Sequence, residues 1–165
     1  MLERFDGQRV EEFSREAPLD AFAFVLDLRS DNAVVSKTFD DQSPPMPFVL
    51  GDLGFYQNSG YYSLIGDGFD VNFLNPEVRH RIVLVQSRAG LKVYGDGYRF
   101  ASFPSAAGVQ RLALGKGFRQ RWWKGDIYGA YLLKFGTGFR FDEEVCHEAE
   151  IERLCRDGLE LFRLG

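Results

Sequence analysis

The residues of this chain best suited to recognising a ligand are a tryptophan pair and the polar and aromatic side chains around it. Trp122 and Trp123 are adjacent, so on a strand they would point to opposite faces and only one would belong to the core. An exposed indole offers a flat face for a sugar ring, and planar polar groups beside it would supply hydrogen bonds. We therefore predict a carbohydrate-binding surface centred on Trp122, with contacts from Arg119, Arg121, Tyr128 and Tyr131.

A second aromatic and polar cluster lies around residue 57. Tyr56 and Asn58 are its members that we predict to contact the ligand, and Gln57, Tyr61 and Tyr62 lie beside them in the sequence. The same tyrosines would also serve simply to cover sheet faces while their hydroxyl groups remain in water. Both interpretations stay open at this point.

Oxygen-bearing side chains in and after the turn at 66–68 are of the kind that binds calcium. Asp67, Asp70 and Asn72 offer carboxylate and amide oxygens, which this hard cation prefers. Further Asp and Asn residues lie at 31–32 and 40–41. None of these segments has the spacing of an EF-hand loop, and acidic residues beside a glycine often do no more than form a turn. A calcium site at Asp67, Asp70 and Asn72 is therefore a prediction with a simpler structural alternative.

No motif for catalysis is evident. A retaining glycosidase needs two carboxylates about 5 to 5.5 Å apart, and the Glu-x-Asp-x-x-Glu strand pattern that would supply them is not found. His80 precedes an apolar strand without a nucleophile or acid spaced for it, which indicates a packed, hydrogen-bonded histidine. The sequence predicts a protein that is not an enzyme. Five glutamates are better explained as a solvated helix face: Glu143, Glu144, Glu148, Glu150 and Glu152.

Composition and charge limit the partners. The chain has 165 residues and a net charge of −4, so we expect one domain over 1–165 and no electrostatic attraction for nucleic acid. Basic residues between 111 and 124 are a local exception, which we interpret as a solvated rim. No run of 18 apolar residues predicts membrane insertion. The residues after Met1 lack an apolar signal core, which favours a cytoplasmic over a secreted location.

Short apolar runs recur every 8 to 12 residues between turns, the rhythm of an all-β sandwich or barrel. Two turns are especially clear, at 87–90 and at 95–97. Because no helices separate the runs, antiparallel pairing is expected. The predicted strands are 8–13, 22–28, 33–38, 48–53, 61–65, 69–73, 80–86, 91–94, 98–103, 110–114 and 126–135, with a last strand or extended segment at 159–164.

One helix is predicted near the end of the chain, over about 142–156. Asp142 would be its N-cap and Gly158 its stop signal, and Ile151, Leu154 and Cys155 would form its apolar stripe. Cys146 and Cys155 would then lie on opposite faces, some 13 Å apart along the axis, which is too far for a disulfide. We expect both to be thiols.

Several of these segments together resemble the laminin-G-like jelly roll, a subset of the concanavalin-A-like sandwiches. The resemblance covers about 5–158. It rests first on His80 before an apolar strand and on the Tyr94-Gly95-Asp96-Gly97 turn, and then on segments in the family's order at 5–7, 22–28, 33–37, 126–133 and 149–154. The tryptophan usual in the strand at 22–28 is absent. The resemblance implies a two-sheet antiparallel β-sandwich with one short C-terminal helix.

The resemblance also bears on function. It implies that the aromatic residue two positions before Gly125, Trp123, is buried and that Trp122 points outward, and many relatives bind calcium at a loop rim. Our first hypothesis is therefore a non-catalytic module that binds a carbohydrate, with calcium as its one candidate cofactor. The alternative is a protein–protein interaction or scaffold domain of a larger assembly. An aromatic groove would favour a glycan partner, and an unpaired edge strand would favour a protein.

Overall fold

A computed structural model describes residues 2–31, 44–105 and 108–165 of the chain. In these ranges the structure consists of two antiparallel sheets and one α-helix. The predicted strand at 33–38, with its part of the resemblance at 33–37, lies outside the described residues, as do Asn32 and the acidic pair at 40–41. Within the described ranges, no helix combines the length and apolar character needed to cross a bilayer.

The first sheet runs in the order β1-β12-β3-β8-β9-β10, and β13 also pairs with β12. β1 pairs with the first residues of β12 and β13 with its last residues, so both lie on the same side of that long strand. The strands of this sheet are β1 (Glu3–Asp6), β3 (Phe22–Ser30), β8 (His80–Ser87), β9 (Gly90–Gly95), β10 (Tyr98–Phe103), β12 (Lys124–Lys134) and β13 (Leu159–Leu164).

The second sheet runs in the order β2-β11-β4-β5-β6-β7. Its strands are β2 (Glu11–Leu19), β4 (Phe48–Leu50), β5 (Leu53–Gln57), β6 (Tyr62–Gly66), β7 (Phe69–Phe73) and β11 (Val109–Leu114). The inner faces of the two sheets enclose the main core. Aromatic rings cross this core: Phe24 of the first sheet meets Phe48 of the second at 5.0 Å between centroids, and Phe55 stacks on Phe48 at 4.7 Å. The predicted two-sheet antiparallel sandwich is confirmed.

Both of the clearest predicted turns are confirmed. Residues 88–89 join β8 to β9, and Asp96-Gly97 joins β9 to β10. Asp96 and Gly97 have φ values of 50° and 92°, which is the left-handed pair that a type I′ hairpin turn requires. Position 97 tolerates no side chain, because a Cβ there would lie 2.1 Å from Nδ1 of His147.

Three strand predictions need correction. The single strand expected at 48–53 is two strands, β4 and β5, because Gly51 adopts a φ of 58° and reverses the chain there. The strand expected at 8–13 begins at Glu11 and continues to Leu19. The residues around Phe5, where no strand is predicted, include β1, which pairs with β12. In the last two cases backbone pairing with a distant strand, which local sequence does not report, sets the boundary.

The helix is shorter than predicted. It is α1 (Glu148–Asp157), and His147 rather than Asp142 lies at its N-cap position. Residues 144–146 are not helical, because their backbone groups hydrogen-bond to the edge of the first sheet. The Arg99 amide donates to the Glu144 carbonyl at 3.2 Å, and the Cys146 amide donates to the Gly97 carbonyl at 2.8 Å. Gly158 ends the helix as expected.

The helix covers part of the outer face of the first sheet. Ile151 and Leu154 are buried in a second apolar cluster that includes Val83 and Val85 of β8. Cys155, which we expected in the apolar stripe, is exposed, and Cys146 is buried before the helix begins. Both cysteines are thiols, as predicted.

A hydrogen-bonded chain of three buried side chains joins the two sheets at one end of the core. Trp123 Nε1 donates to Ser30 Oγ at 2.8 Å, and Ser30 Oγ is 2.6 Å from the hydroxyl oxygen of Tyr62 on β6. Burial raises the pKa of Tyr62 well above its usual value, so the hydroxyl stays protonated. Gly125 admits the indole, since a Cβ at this position would lie 2.2 Å from Trp123 Cζ2. We call these three residues the tryptophan anchor.

Removing the centre of the anchor should lower stability markedly. Ser30→Ala leaves a buried indole N–H and a buried phenol without this partner, which typically costs about 1–3 kcal/mol. Urea unfolding followed by tryptophan fluorescence measures the change. Ser105→Ala, at an exposed serine, is the matched control and should change stability by less than about 0.5 kcal/mol. A Ser30→Ala protein as stable as wild type would contradict this role.

Candidate functional site

The outer face of the second sheet forms a grid of side chains that the strand register defines. One row crosses all six strands: Glu12, Ala113, Val49, Gly54, Ile65 and Asp70 lie opposite one another in turn. The next row contains Tyr56, Ser63 and Asn72. The centre of the face thus carries small side chains, and larger and charged groups stand around it.

A loop over residues 115–122 folds against this face. The Gly115 amide donates to the Pro47 carbonyl at 2.9 Å, and the Trp123 amide donates to the Gly115 carbonyl at 3.0 Å. A one-turn 3-10 helix, Phe118–Gln120, forms its tip. Arg119 and Gln120 have φ values of 56° and 62°, a left-handed conformation that costs energy for residues other than glycine. The loop is therefore held in its shape by the surrounding structure.

The loop and the sheet together enclose a shallow groove of about 220 Å³. Its floor is made of Ala113 and Val49, and Phe118 stands at its side with 43% of its surface exposed. The rings of Phe118 and Tyr56 are neighbours, because a Cβ on Gly54 would lie 3.4 Å from one and 3.1 Å from the other. We call this the outer groove, lined by Glu12, Val49, Gly51, Arg111, Ala113, Lys116, Gly117 and Phe118.

Cations lie over the aromatic rings next to the groove. Lys116 Nζ is 4.8 Å from the centroid of Trp122, and Arg121 Cζ is 5.2 Å from the centroid of Tyr56. Both distances lie within the range of cation–π attraction. Trp123 is fully buried and Trp122 is half-buried, so the predicted inward position of Trp123 is confirmed. Arg121 brings the two aromatic clusters of the sequence together, since it directly precedes Trp122 and packs on Tyr56.

The polar row of this face is internally hydrogen-bonded. Asn58 Nδ2 donates to Ser63 Oγ at 2.7 Å, and Ser63 Oγ donates to Asn72 Oδ1 at 2.6 Å. Asp70 is exposed two residues before Asn72, while Asp67 lies in the β6–β7 turn and lines a separate hollow with Asp52. In the described part of the chain, no three His, Cys, Asp or Glu side chains are grouped as metal ligands.

Two of the predicted ligand contacts lie elsewhere. Tyr128 and Tyr131 belong to β12 of the first sheet, where Arg79 Cζ lies 3.8 Å from the centroid of Tyr128 and Arg163 Cζ lies 4.6 Å from that of Tyr131. Strand β12 carries them along the first sheet and away from Trp122. The predicted surface is therefore divided, with Tyr56, Asn58, Arg121 and Trp122 on the side of the outer groove.

The first sheet has a polar cleft of its own, of about 350 Å³, beside the start of α1. His80 Nδ1 lies 2.5 Å from a carboxylate oxygen of Asp96, and the other oxygen accepts from the Arg81 amide at 2.9 Å. His80 is thus packed and hydrogen-bonded, as the sequence predicted. Cys146 also lines the cleft, and burial raises the pKa of its thiol to about 12. A thiol with this pKa does not supply a thiolate at neutral pH.

The floor and side of the outer groove were missed in the sequence. Alternation along β11 places Arg111 and Ala113 on the same face, and this signal is available to sequence reasoning. Phe118 is different, because its position depends on the unusual backbone of the loop. No local pattern predicts that position.

Comparison with known proteins identifies the fold. No protein-family model matches the sequence, and no curated protein matches it. Among solved structures, the mouse laminin alpha1 chain, domains LG4-5, is similar over 86% of this chain with a TM-score of 0.55. The chain has a laminin-G-like fold. Sequence identity is 12%, and the match spans 44% of the laminin chain, so the likeness concerns the architecture. A laminin-G-like fold hosts more than one function, and function must be argued from the surfaces themselves.

The two thiols should differ sharply in reactivity. Cys155 is exposed, whereas Cys146 is 1% exposed with a raised pKa, so iodoacetamide at mildly alkaline pH should add one label to the native protein and two after unfolding in urea. Intact mass spectrometry counts the labels, and Cys155→Ser should reduce the native count to zero. Rapid double labelling of native protein would show that Cys146 is reachable, contrary to the buried position described above.

Proposed function

We propose that this chain is a non-catalytic binding module whose ligand is a carbohydrate held in the outer groove. The observation that carries the proposal is the exposed ring of Phe118 beside a floor of small side chains, with Tyr56 close by on the same face next to Gly54. Flat rings stack on the apolar faces of sugars, and a small-residue floor lets a ring approach the sheet closely.

Polar groups of the groove fit the same ligand. Arg111, Lys116 and Glu12 line it, and they can donate to or accept from sugar hydroxyl groups. Arg121 adds a buried Nε that has no hydrogen-bond partner among the described residues. At about 220 Å³ the groove is smaller than the roughly 300 to 1,000 Å³ usual for enclosed small-molecule pockets. A shallow, open groove suits part of a glycan chain better than a whole enclosed molecule.

The composition of the groove favours binding over hydrolysis. Glu12 is the one carboxylate among its described lining residues, whereas glycoside hydrolysis by the usual mechanism needs a pair. The laminin-G-like fold is compatible with a binding role and adds only an analogy to this argument.

A protein-binding role is the second candidate, and a different surface favours it. Tyr98 and Phe100 are 62% and 46% exposed on the edge strand β10. Exposed aromatic side chains at a sheet edge are typical of protein contacts. This candidate makes the same chain an interaction domain without a sugar ligand.

A glycan array probed with labelled protein should identify bound carbohydrates and test the groove. Phe118→Ala and Trp122→Ala should each weaken the strongest signal about tenfold, the equivalent of about 1.4 kcal/mol, because each removes a ring at the groove or its rim. Tyr128→Ala, on the first sheet, is the matched aromatic control and should bind like wild type. The array is run with calcium and with chelator, since Asp67, Asp70 and Asn72 remain predicted calcium ligands.

The outcomes separate the alternatives. If Tyr128→Ala weakened binding as strongly as Phe118→Ala, the ligand would not be confined to the outer groove of the second sheet, which would contradict the proposal. Absence of binding to every glycan would favour the protein-partner role, and release of free sugar from a bound glycan would contradict a non-catalytic module.

A further inference from the structure

The edge strand β7 has a sequence that reads the same in both directions by residue class: Phe69-Asp70-Val71-Asn72-Phe73. It is the last strand of the second sheet. Among the described residues, no strand pairs with its outer edge. An unpaired edge exposes N–H and C=O groups that another strand can use.

The other edge of the same sheet is protected, and β7 is not. Strand β2 carries Pro18, several charged residues and a register irregularity opposite β11, which are the usual devices against edge pairing. On the first sheet, β10 is partly covered by its bridge to Val145. Strand β7 has a regular register and Asp70 as its one charged residue.

Hydrogen-bond alternation shows which groups of β7 face outward. A two-residue turn, Asp67-Gly68, joins β6 to β7, so Gly66 and Phe69 form the hydrogen-bonded pair that closes it. Alternation along an antiparallel pair then directs the backbone groups of Val71 and Phe73 toward β6. The backbone N–H and C=O groups of Asp70 and Asn72 are the ones left at the free edge.

We propose that two copies of this chain associate through antiparallel pairing of β7 with β7, around a two-fold axis at Val71. This register places Asp70 opposite Asn72 of the second copy and Phe69 opposite Phe73. Each Asp70–Asn72 pair exchanges two backbone hydrogen bonds, so the two symmetric pairs provide four. The result is one continuous sheet of twelve strands, six from each copy.

Side chains support the same register. Asn72 Oδ1 is occupied by Ser63, which leaves the Asn72 amide N–H₂ to donate to the Asp70 carboxylate of the second copy. Two Asp70 side chains are not opposed, so like charges do not meet. On the inner face of the edge, the ring of Phe69 stacks on that of Phe103 with 3.9 Å between centroids, and the centroid of Phe73 lies 5.1 Å from that of Phe100. These contacts brace β7 against the first sheet.

The pairing has a consequence for recognition, which rests on the proposed function. Both outer grooves would open on the same face of the twelve-stranded sheet. A glycan surface could then be bound at two points, which raises avidity without any new contact.

Sedimentation velocity over a wide concentration series tests association, and one pair of variants tests its register. Asn72→Asp places a carboxylate opposite Asp70 at both symmetric positions and should weaken the dimer at least tenfold. The double variant Asp70→Asn with Asn72→Asp exchanges the two side chains, so each aspartate again faces an asparagine of the second copy. It should therefore restore association. Circular dichroism spectra confirm that the variants fold.

A disulfide trap gives a second, independent readout. In a Cys155→Ser background, Val71→Cys would place the two sulfurs at the axis, where facing Cα atoms of a non-hydrogen-bonded pair are about 4.5 Å apart. Mild oxidation should yield a covalent dimer. Asp70→Cys is the matched control, since the Cα atoms of the two Asp70→Cys residues would be about 8 Å apart across the paired β7 strands, which is beyond disulfide reach.

A chain that remains monomeric at every concentration would overturn the proposal. So would a dimer that is insensitive to Asn72→Asp, or one in which Asp70→Cys cross-links as readily as Val71→Cys. Glycan binding by a strictly monomeric protein would leave the outer groove intact while eliminating this interface, so the two proposals fail separately.

Discussion

The tryptophan anchor determines how the rest of the molecule is arranged. Trp123 precedes β12 of the first sheet, Ser30 ends β3 beside it, and Tyr62 belongs to the second sheet, so their two hydrogen bonds fix the sheets against each other at one end. The Trp123 amide also bonds the start of the 115–122 loop. The residue that closes the core therefore also positions the loop that builds the outer groove.

The two outer faces of the sandwich have different roles. On the first sheet, α1 and the segment before it bury an apolar cluster, and arginine–carboxylate pairs such as Arg79 with Asp27 occupy the remaining surface. The second sheet has no α-helix over it in the described part of the chain; the 115–122 loop covers part of its face, and its centre carries small side chains. Beside the 115–122 loop the floor of Ala113 and Val49 lines the outer groove, and a ligand can approach this face there.

Much of the fold is predictable from local chemistry, and the gaps have physical causes. Turn residues such as Asp96-Gly97 specify their backbone conformation directly, which is why the predicted hairpin turns agree with the structure. The helix start was misplaced because Asp142, Glu143 and Glu144 have a good capping pattern, yet residues 144–146 bond to β10 instead. The site shows the same limit. The inward position of Trp123 is predicted correctly. Tyr128 is grouped with Trp122 because the two are close in sequence, but residues close in sequence need not share a sheet face, and Tyr128 lies on β12 of the first sheet. The position of the Phe118 ring depends on the strained loop backbone at Arg119 and Gln120, which residue types alone do not specify.

Native-state amide hydrogen exchange, resolved by residue in wild type and in Ser30→Ala, tests most directly whether the anchor positions the loop. The informative amides are those of Gly117 and Trp123, which bond within the loop, and that of Val83 in β8 is the internal reference. If the anchor positions the loop, Gly117 and Trp123 lose more protection than Val83 when Ser30 is replaced. Equal loss at all three amides, or unchanged protection in the loop, would contradict it.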